Sequence, residues 1–416
     1  MATAYPTSEA SKDVRQRTSD LAYRQSHIAY PMLYLHIPFC KQACSYCNFH
    51  FSTSMRTRPA VLAGMVRELE VRRGELPMGS VPSIYFGGGT PSLLHAAELE
   101  QLFAAIRRMG YWAGEGDTEI TLEANPDDLT AEVIAQLADS PVNRLSIGIQ
   151  SFDETDLRFM NRAHNAREAL TAVEKVTAAG FRDVSIDLIY GAQTTSDATW
   201  QRNLDLATQL GVNHIAAYAL TVEPRTALGH QVAKGSLADT SEERFDRHFA
   251  LLIDHLTAAG FEQYEVSNFA RPGHRSRHNS GYWTGQPYLG IGPGAHSFDG
   301  AYRRRWNVSH NARYAKVWGE IGSATDFVSA GPLLYEEEVL TDRDRYNEYV
   351  MTALRRMEGV RLEEIGRRFG PDYREHFTDA VAGYVREGFL SCGPAQYRLT
   401  RAGLALADGI AAAAFR

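Results

Sequence analysis

The sequence has no long apolar run, little cysteine and no excess of basic residues. No stretch of its 416 residues approaches the roughly 18 consecutive apolar side chains that a membrane-spanning helix needs, so we do not expect an integral membrane protein. Four cysteines are too few for a secreted disulfide scaffold, and the first 30 residues lack the apolar segment of a signal peptide. The formal charge of −7 is spread along the chain. We therefore expect a cytoplasmic protein without a nucleic-acid partner.

The chain is otherwise ordinary in composition, with 44% hydrophobic and 22% charged residues, as in globular proteins. Its pattern changes along the length and predicts four segments: a disordered leader at 1–30, βα repeats at 31–260, an elaborated loop region at 261–335, and a small winged-helix-like α+β domain at 336–416. The strand candidates in the βα repeats are residues 33–37, 83–86, 119–122, 144–149, 184–189 and 214–220. Six such units predict a parallel sheet covered by helices, either a partial barrel or an open doubly wound sheet.

Three of the four cysteines follow the first strand. Cys40, Cys44 and Cys47 have the spacing C-x3-C-x2-C, and thiolates are soft ligands for iron–sulfur clusters and zinc. Three cysteines would leave one iron of a four-iron cluster without a protein ligand. Alternatively, His50 could complete a Cys3His zinc site, or the thiols could be reduced and bind nothing. The spacing alone leaves these three interpretations open.

A glycine-rich segment at the end of the second strand decides among them. Gly87-Gly88-Gly89-Thr90-Pro91 lies where α/β folds bind ligands, and glycine lets backbone approach a ligand closely. Together with the cysteine loop, this segment resembles the radical S-adenosylmethionine superfamily. The resemblance implies a partial (β/α)6 barrel, a [4Fe–4S] cluster on the three cysteines, and bound S-adenosylmethionine. Within the superfamily, the chain from about residue 34 onward resembles the oxygen-independent coproporphyrinogen III oxidase group.

The same resemblance implies the contacts to S-adenosylmethionine. They are Tyr34, Gly88, Gly89, Thr90, Glu123, Gln150, Arg162 and Asp187. Glu123, Gln150 and Asp187 fall at or near carboxyl ends of predicted strands, where barrel scaffolds bind ligands. A carboxylate suits ribose hydroxyls or an ammonium group, and the forked guanidinium of Arg162 suits a carboxylate. We also expect a valine at Gly88 to fill space that the ligand needs.

One position departs from the oxidase pattern. The oxidases carry a fourth cysteine two residues after the third, where this chain has Phe49, so we do not expect it to decarboxylate coproporphyrinogen III. The chain instead resembles the haem chaperone branch of the group, whose H-N-x-x-Y-W pattern is matched by His278, Asn279, Tyr282 and Trp283. That resemblance implies a haem site, with His278 as an iron ligand and aromatic packing from Tyr282 and Trp283.

Neighbouring residues leave the details of this haem site open. His274 is a rival iron ligand, and propionates could pair with Arg271, Arg275 and Arg277. The competing interpretation is a loop histidine whose nitrogens bond only to protein groups. The sequence therefore predicts a haem chaperone that delivers haem to acceptor proteins, with the radical decarboxylase as the alternative. Any membrane contact is expected through an acceptor, and a homodimer is left open.

Overall fold

The computed structural model describes residues 31–76, 79–114, 116–394 and 396–416. The leader predicted at 1–30 lies outside these residues. Within the described ranges, no helix has the length and apolar character required to cross a membrane.

Six parallel strands form the centre of the main sheet. They are β1 (Met32–Ile37), β2 (Ser83–Gly88), β3 (Glu119–Ala124), β4 (Arg144–Gln150), β5 (Asp183–Tyr190) and β6 (His214–Ala219). They lie side by side in sequence order, whereas a doubly wound sheet reverses its strand order at a switch point. The order is therefore that of the predicted partial barrel.

Helices cover the outer face of these strands. They are α1 (Arg58–Val71), α2 (Ala96–Arg108), α3 (Ala131–Ala138), α5 (Ala166–Ala178), α6 (Asp197–Gln209) and α8 (Glu242–Ala258). Two short helices, α4 (Glu154–Phe159) and α7 (Ala227–Ala233), lie beside the segment around Ser45 and Tyr46 instead. Helix α5 shows why they form. Asn165 and Glu168 make a capping box at its start, and Ala169, Val173 and Val176 form its buried stripe. Gly180, at φ +83°, follows its end and permits the left-handed turn.

The two faces of the sheet differ in polarity, because alternate residues of a strand point to opposite sides. The outward residues are apolar and buried under the helices, including Leu35 on β1, Phe86 on β2 and Ile147 on β4. The inward residues of the central strands are largely polar and line an interior cavity. Glu123 on β3 and Asp187 on β5 are examples. The hydrophobic core therefore lies between the strands and the surrounding helices, and the polar side chains lie in the cavity on the other face of the sheet.

The segment 261–335 corrects the sequence prediction of an elaborated loop region. It contributes β7 (Glu262–Gln263), β8 (Asn268–Ala270), β9 (Tyr288–Ile291), β10 (His296–Phe298) and β11 (Arg303–Asn307), with helices α9 (Arg277–Trp283), α10 (Asn311–Glu320) and α11 (Ala324–Leu334). These strands extend both edges of the main sheet, in the order β11-β10-β9-β1 on one side and β6-β8-β7 on the other. They have two to five residues and little apolar alternation, so the sequence carries almost no strand signal for them.

The last sheet strand and the C-terminal region follow. Strand β12 (Tyr335–Val339) pairs with β11, so the main sheet continues past the predicted boundary at 336. The C-terminal elements are α12 (Asp342–Arg355), β13 (Val360–Arg361), α13 (Leu362–Phe369), α14 (Pro371–Arg386), β14 (Leu390–Cys392), β15 (Gln396–Leu399) and α15 (Ala407–Ala413). They enclose a separate core around Tyr346, Phe377 and Val381. Four helices and a three-stranded sheet make up this region, so it has the mixed helix and strand content of the predicted α+β domain.

Candidate functional site

The three clustered cysteines lie together at one cavity. Cys40, Cys44 and Cys47 are free, half-buried thiols that help line the interior cavity of about 530 Å³. Their loop is held against the turn after α4: the Ser45 amide donates to the Met160 carbonyl at 3.1 Å, and the Asn161 side-chain amide donates to the Ala43 carbonyl at 2.7 Å. These hydrogen bonds hold the cysteine loop against the end of α4.

The structure does not form the zinc site that the sequence left open. Nε2 of His50 is hydrogen-bonded to Oδ1 of Asn311 at 2.8 Å, and the His50 carbonyl is hydrogen-bonded to Nε2 of His36 at 3.0 Å. These contacts tie His50 to β1 and α10 rather than to the three thiols.

The glycine-rich segment packs against β1. Gly88 has φ +103°, its amide donates to the Glu123 carboxylate, and a Cβ there would lie 2.5 Å from the His36 ring. A Cβ at Gly89 would lie 2.6 Å from the Ile37 carbonyl oxygen. A valine at Gly88 would therefore collide with His36, because these glycines permit close packing of protein on protein. Its effect on ligand binding stays a prediction. Both glycines and Thr90 still line the cavity.

Two half-buried carboxylates face the cavity. Glu123 accepts hydrogen bonds from the Tyr85 hydroxyl at 2.8 Å and the Gly88 amide at 3.0 Å, and Asp187 accepts one from the Ser146 hydroxyl at 3.1 Å. Burial raises the pKa of Glu123 to about 7 and that of Asp187 to about 6. Both groups therefore titrate near neutrality, where they can accept hydrogen bonds from ligand hydroxyls or pair with a ligand cation.

Arg162 connects the cysteine loop to the strand ends. Its guanidinium donates to Sγ of Cys44 at 3.1 Å, to Oδ1 of Asn125 at 2.6 Å and to the Gly148 carbonyl at 2.7 Å. Its Nε is buried and has no hydrogen-bond partner among the described residues. Gln150, held at φ +68° by a bulge in β4, lines the cavity beside it. An unpaired buried donor beside three thiols fits an anionic group bound there.

Tyr34 occupies a different position from the other predicted ligand contacts. It lies on the inward face of β1 in register with Tyr85, and its hydroxyl is hydrogen-bonded to Nδ1 of His36 at 3.2 Å. Its ring packs near the rings of Tyr85 and His278. Tyr85, which was not identified from the sequence, lines the cavity, whereas Tyr34 does not.

Other lining residues were also missed by sequence reasoning. They include Asn125, Ser146, Ser185, His214 and Tyr218. Ser185 lies two positions before Asp187 on β5, and Asn125 lies two positions after Glu123 at the end of β3. The two-residue repeat of a strand puts such neighbours on one face. The two-residue repeat is therefore the sequence signal that could have identified such residues.

The predicted haem motif lies at the opposite end of the strands. His278, on α9, is 1% exposed and is hydrogen-bonded through Nδ1 to the Ser83 hydroxyl at 2.9 Å and through Nε2 to the Tyr282 hydroxyl at 3.0 Å. Ser83 begins β2, and the backbone amide of His278 donates to Glu119, which begins β3. Burial lowers the pKa of His278 to about 3. Both imidazole nitrogens therefore have protein partners, as in the competing interpretation.

The remaining motif residues face two different spaces. Asn279 lines the interior cavity, whereas Tyr282 and Trp283 line a second cleft toward the C-terminal domain. His274, the rival ligand, is hydrogen-bonded through Nδ1 to Asp183 at 2.6 Å.

The three arginines suggested for propionates have partners elsewhere. Arg271 lies over the Phe261 ring and donates to the Ala259 carbonyl. Arg275 pairs with Glu262 and Glu358, and Arg277 pairs with Asp117. They are not gathered around Tyr282 and Trp283, so the structure does not support this pairing.

We expect replacement of His278 with alanine to destabilise the protein. The change leaves the hydroxyls of Ser83 and Tyr282 without their partner and opens a cavity, which together cost about 2–4 kcal/mol. Urea unfolding measures the loss. The control is His230→Ala at an exposed position, where we expect a change within about 0.5 kcal/mol. Equal stability of the two variants would contradict the described packing of His278.

Known families match most of the chain. The Radical SAM superfamily model matches residues 34–207, and the HemN C-terminal domain model matches residues 340–406. Among solved structures, the radical SAM enzyme coproporphyrinogen III oxidase (HemN) from Escherichia coli superposes with a TM-score of 0.79 at 22% identity, over 95% of this chain and 93% of that one. This likeness confirms the α/β fold with a C-terminal domain. The superfamily match implies a [4Fe–4S] cluster and S-adenosylmethionine.

Haem chaperones from several bacteria match this chain over nearly its full length. The haem chaperone HemW of Mycobacterium tuberculosis is 35% identical over 409 residues, covering 94% of this chain and 98% of the relative. HemW of Lactococcus lactis is 31% identical over 385 residues, covering 91% of this chain and 95% of the relative. The chain therefore belongs to the HemW family of the radical SAM superfamily.

Proposed function

We propose that this protein binds haem and delivers it to haem-accepting proteins, on a scaffold that carries a [4Fe–4S] cluster and S-adenosylmethionine. The observation that carries the proposal is the identity to HemW haem chaperones along almost the whole chain. The aligned region spans both the cysteine loop and helix α9, which carries the predicted haem motif. The acceptor is a haem protein, and any contact with a membrane is made through it.

The residues around the cavity suit the two cofactors. Cys40, Cys44 and Cys47 would hold three irons of the cluster and leave the fourth for the amino and carboxylate groups of S-adenosylmethionine. When bound, the cluster would supply an electron to that ligand. Arg162 has a free buried donor for the ligand carboxylate, and Glu123 and Asp187 offer acceptors for its hydroxyls or ammonium group.

Phe49 favours the chaperone over the decarboxylase. It lies two residues after Cys47, where the oxidase pattern has its fourth cysteine, and its side chain is 69% exposed at the cavity. An exposed phenyl ring offers neither a thiolate for a metal nor a group that exchanges protons. We therefore do not expect coproporphyrinogen III to be a substrate.

The test uses anaerobically reconstituted, full-length protein. Titration with haem should show saturable binding, followed by its Soret absorbance, and coproporphyrinogen III with S-adenosylmethionine and a reductant should release no carbon dioxide. Turnover of roughly 1 per second, an ordinary enzyme rate, would make the protein a decarboxylase instead. Light scattering of the same sample tests the homodimer that we keep as part of the proposal.

Binding of S-adenosylmethionine should strengthen as the pH rises through the pKa of Glu123. That pKa is raised to about 7 by burial, so the carboxylate is mostly protonated at pH 6 and mostly ionised at pH 8. If the ionised form is the acceptor for the ligand, the Kd should be roughly tenfold higher at pH 6 than at pH 8. Isothermal titration of the reconstituted protein measures this ratio.

The matched control for this pH dependence is Glu123→Gln. Glutamine keeps the shape of the side chain but does not titrate. The variant should therefore bind S-adenosylmethionine weakly, and its Kd should vary less between pH 6 and pH 8 than that of wild type. An unchanged pH ratio in Glu123→Gln would show that another group, or the ligand itself, is responsible.

A further inference from the structure

A second cleft lies between the main sheet and the C-terminal domain. Its volume is about 460 Å³, within the roughly 300–1,000 Å³ typical of ligand pockets. One wall comes from the end of α9 and from β9–β11, and the other comes from α12 and α13. The edge of the main sheet and the C-terminal domain thus enclose a space that is separate from the cavity at the cysteine loop.

Aromatic rings form much of the cleft wall. They are Tyr282, Trp283, Tyr288, Phe298 and Tyr349. The rings of Tyr282 and Tyr288 meet edge to face at 4.8 Å between centroids, and Tyr288 continues to Phe298 at 6.2 Å. His278 fixes the orientation of Tyr282 through the hydrogen bond to its hydroxyl. Such a wall suits a flat, largely apolar ligand.

Positive charge dominates the polar part of the cleft. Five arginines line it, Arg304, Arg345, Arg356, Arg361 and Arg368, against two glutamates, Glu348 and Glu364. Arg304 pairs with Glu348 at 2.8 Å, and Arg345 pairs with Asp342 at 3.1 Å. In the part of the chain that the structure describes, Arg356 and Arg361 have no carboxylate within salt-bridge distance. The cleft therefore holds uncompensated positive charge beside its aromatic wall.

Two buried donors in this wall have no acceptor within the described part of the chain. Nε of Arg356 and Nε1 of Trp283 are both inaccessible to solvent and lack a hydrogen-bond partner among the described residues. Buried donors are nearly always paired in native proteins, so unpaired ones indicate a missing acceptor. Here the missing acceptor would be a group of the ligand.

We propose that this cleft is the haem site, with the macrocycle against the aromatic wall and its propionates paired with Arg356 and Arg361. This inference rests on the proposed function. A planar dicarboxylate matches both features of the cleft, whereas the interior cavity presents the carboxylates Glu123 and Asp187, which would repel propionates. Met351, 39% exposed in the cleft wall, supplies a thioether, a donor that haem iron accepts.

The test titrates reconstituted full-length variants with haem and with iron-free protoporphyrin IX. Arg356→Ala/Arg361→Ala should raise the Kd for both ligands by roughly tenfold to a hundredfold, because each change removes a charge-assisted hydrogen bond. The matched control is Arg167→Ala/Arg386→Ala, which removes two exposed arginines outside the cleft and should leave both Kd values unchanged. Arg361→Glu, at an exposed position, provides a second variant whose fold is not at risk.

Each outcome decides the question. If wild-type protein binds haem and both cleft variants bind as tightly, the cleft is not the site, although the proposed function stands. If haem binding weakens but binding of the iron-free porphyrin does not, the arginines do not bind the propionates and the proposal is wrong. If wild-type protein fails to bind haem at all, the proposed function fails and the cleft assignment fails with it.

Discussion

Replacing Cys40, Cys44 or Cys47 with alanine is expected to abolish the iron–sulfur cluster. A four-iron cluster held by three thiolates has no spare protein ligand, so each replacement removes an essential bond. Wild-type protein prepared anaerobically should contain about four irons and four sulfides per chain, and each variant close to none. Iron and sulfide analysis, with the visible absorbance of the cluster, measures the loss.

Cys392→Ala is the matched control. Cys392 is an exposed free thiol on β14 of the C-terminal domain, away from the cavity that the other three cysteines line. Its replacement should leave iron and sulfide unchanged. Stoichiometric zinc without sulfide in anaerobic wild-type protein would contradict the cluster and restore the zinc interpretation.

Arg162→Ala should weaken binding of S-adenosylmethionine by roughly tenfold to a hundredfold while the cluster is retained, because a charge-assisted hydrogen bond from Nε to the ligand carboxylate is lost. Arg162 donates to Cys44 but is not itself an iron ligand. The electron paramagnetic spectrum of the reduced cluster should therefore persist in the variant, yet fail to change when the ligand is added at concentrations that saturate wild type.

Two further variants make this result specific to the guanidinium. Arg162→Lys should recover only part of the affinity, since an ammonium group keeps the charge but cannot reproduce both the Nε donor and the contacts to Asn125 and the Gly148 carbonyl. Arg158→Ala, an exposed arginine on the neighbouring α4, should behave as wild type. Wild-type affinity in Arg162→Ala would show that the buried donor serves only the cysteine loop.

The central strands and their helices were predictable from local patterns. The sequence predicted strands at 33–37 and 144–149, and the bounds of β1 and β4 differ from these by one residue. Buried parallel strands such as β1 and β4 carry strong apolar signals, and the intervening helices carry caps and apolar stripes. The short strands β7 to β11 carry no comparable local signal. Their formation depends on pairing with distant segments, as β9 pairs with β1.

The site could be predicted only in part. The contact between Arg162 and Cys44 was foreseeable from family resemblance but from no local pattern, because the two residues lie 118 positions apart. The burial of His278 was not foreseeable, since it depends on where α9 packs against the first residues of β2 and β3. The cleft arginines come mostly from the C-terminal domain, where the sequence showed only alternating charges.

The most direct test of haem delivery is transfer from this protein to an acceptor. Reconstituted protein loaded with haem is mixed with an excess of an apo haem protein, and the acceptor's Soret band is followed with time. We predict that haem appears in the acceptor at a rate that depends on acceptor concentration, as direct transfer between two proteins requires. A rate independent of acceptor concentration, equal to release of haem into solvent, would contradict the account of a haem chaperone.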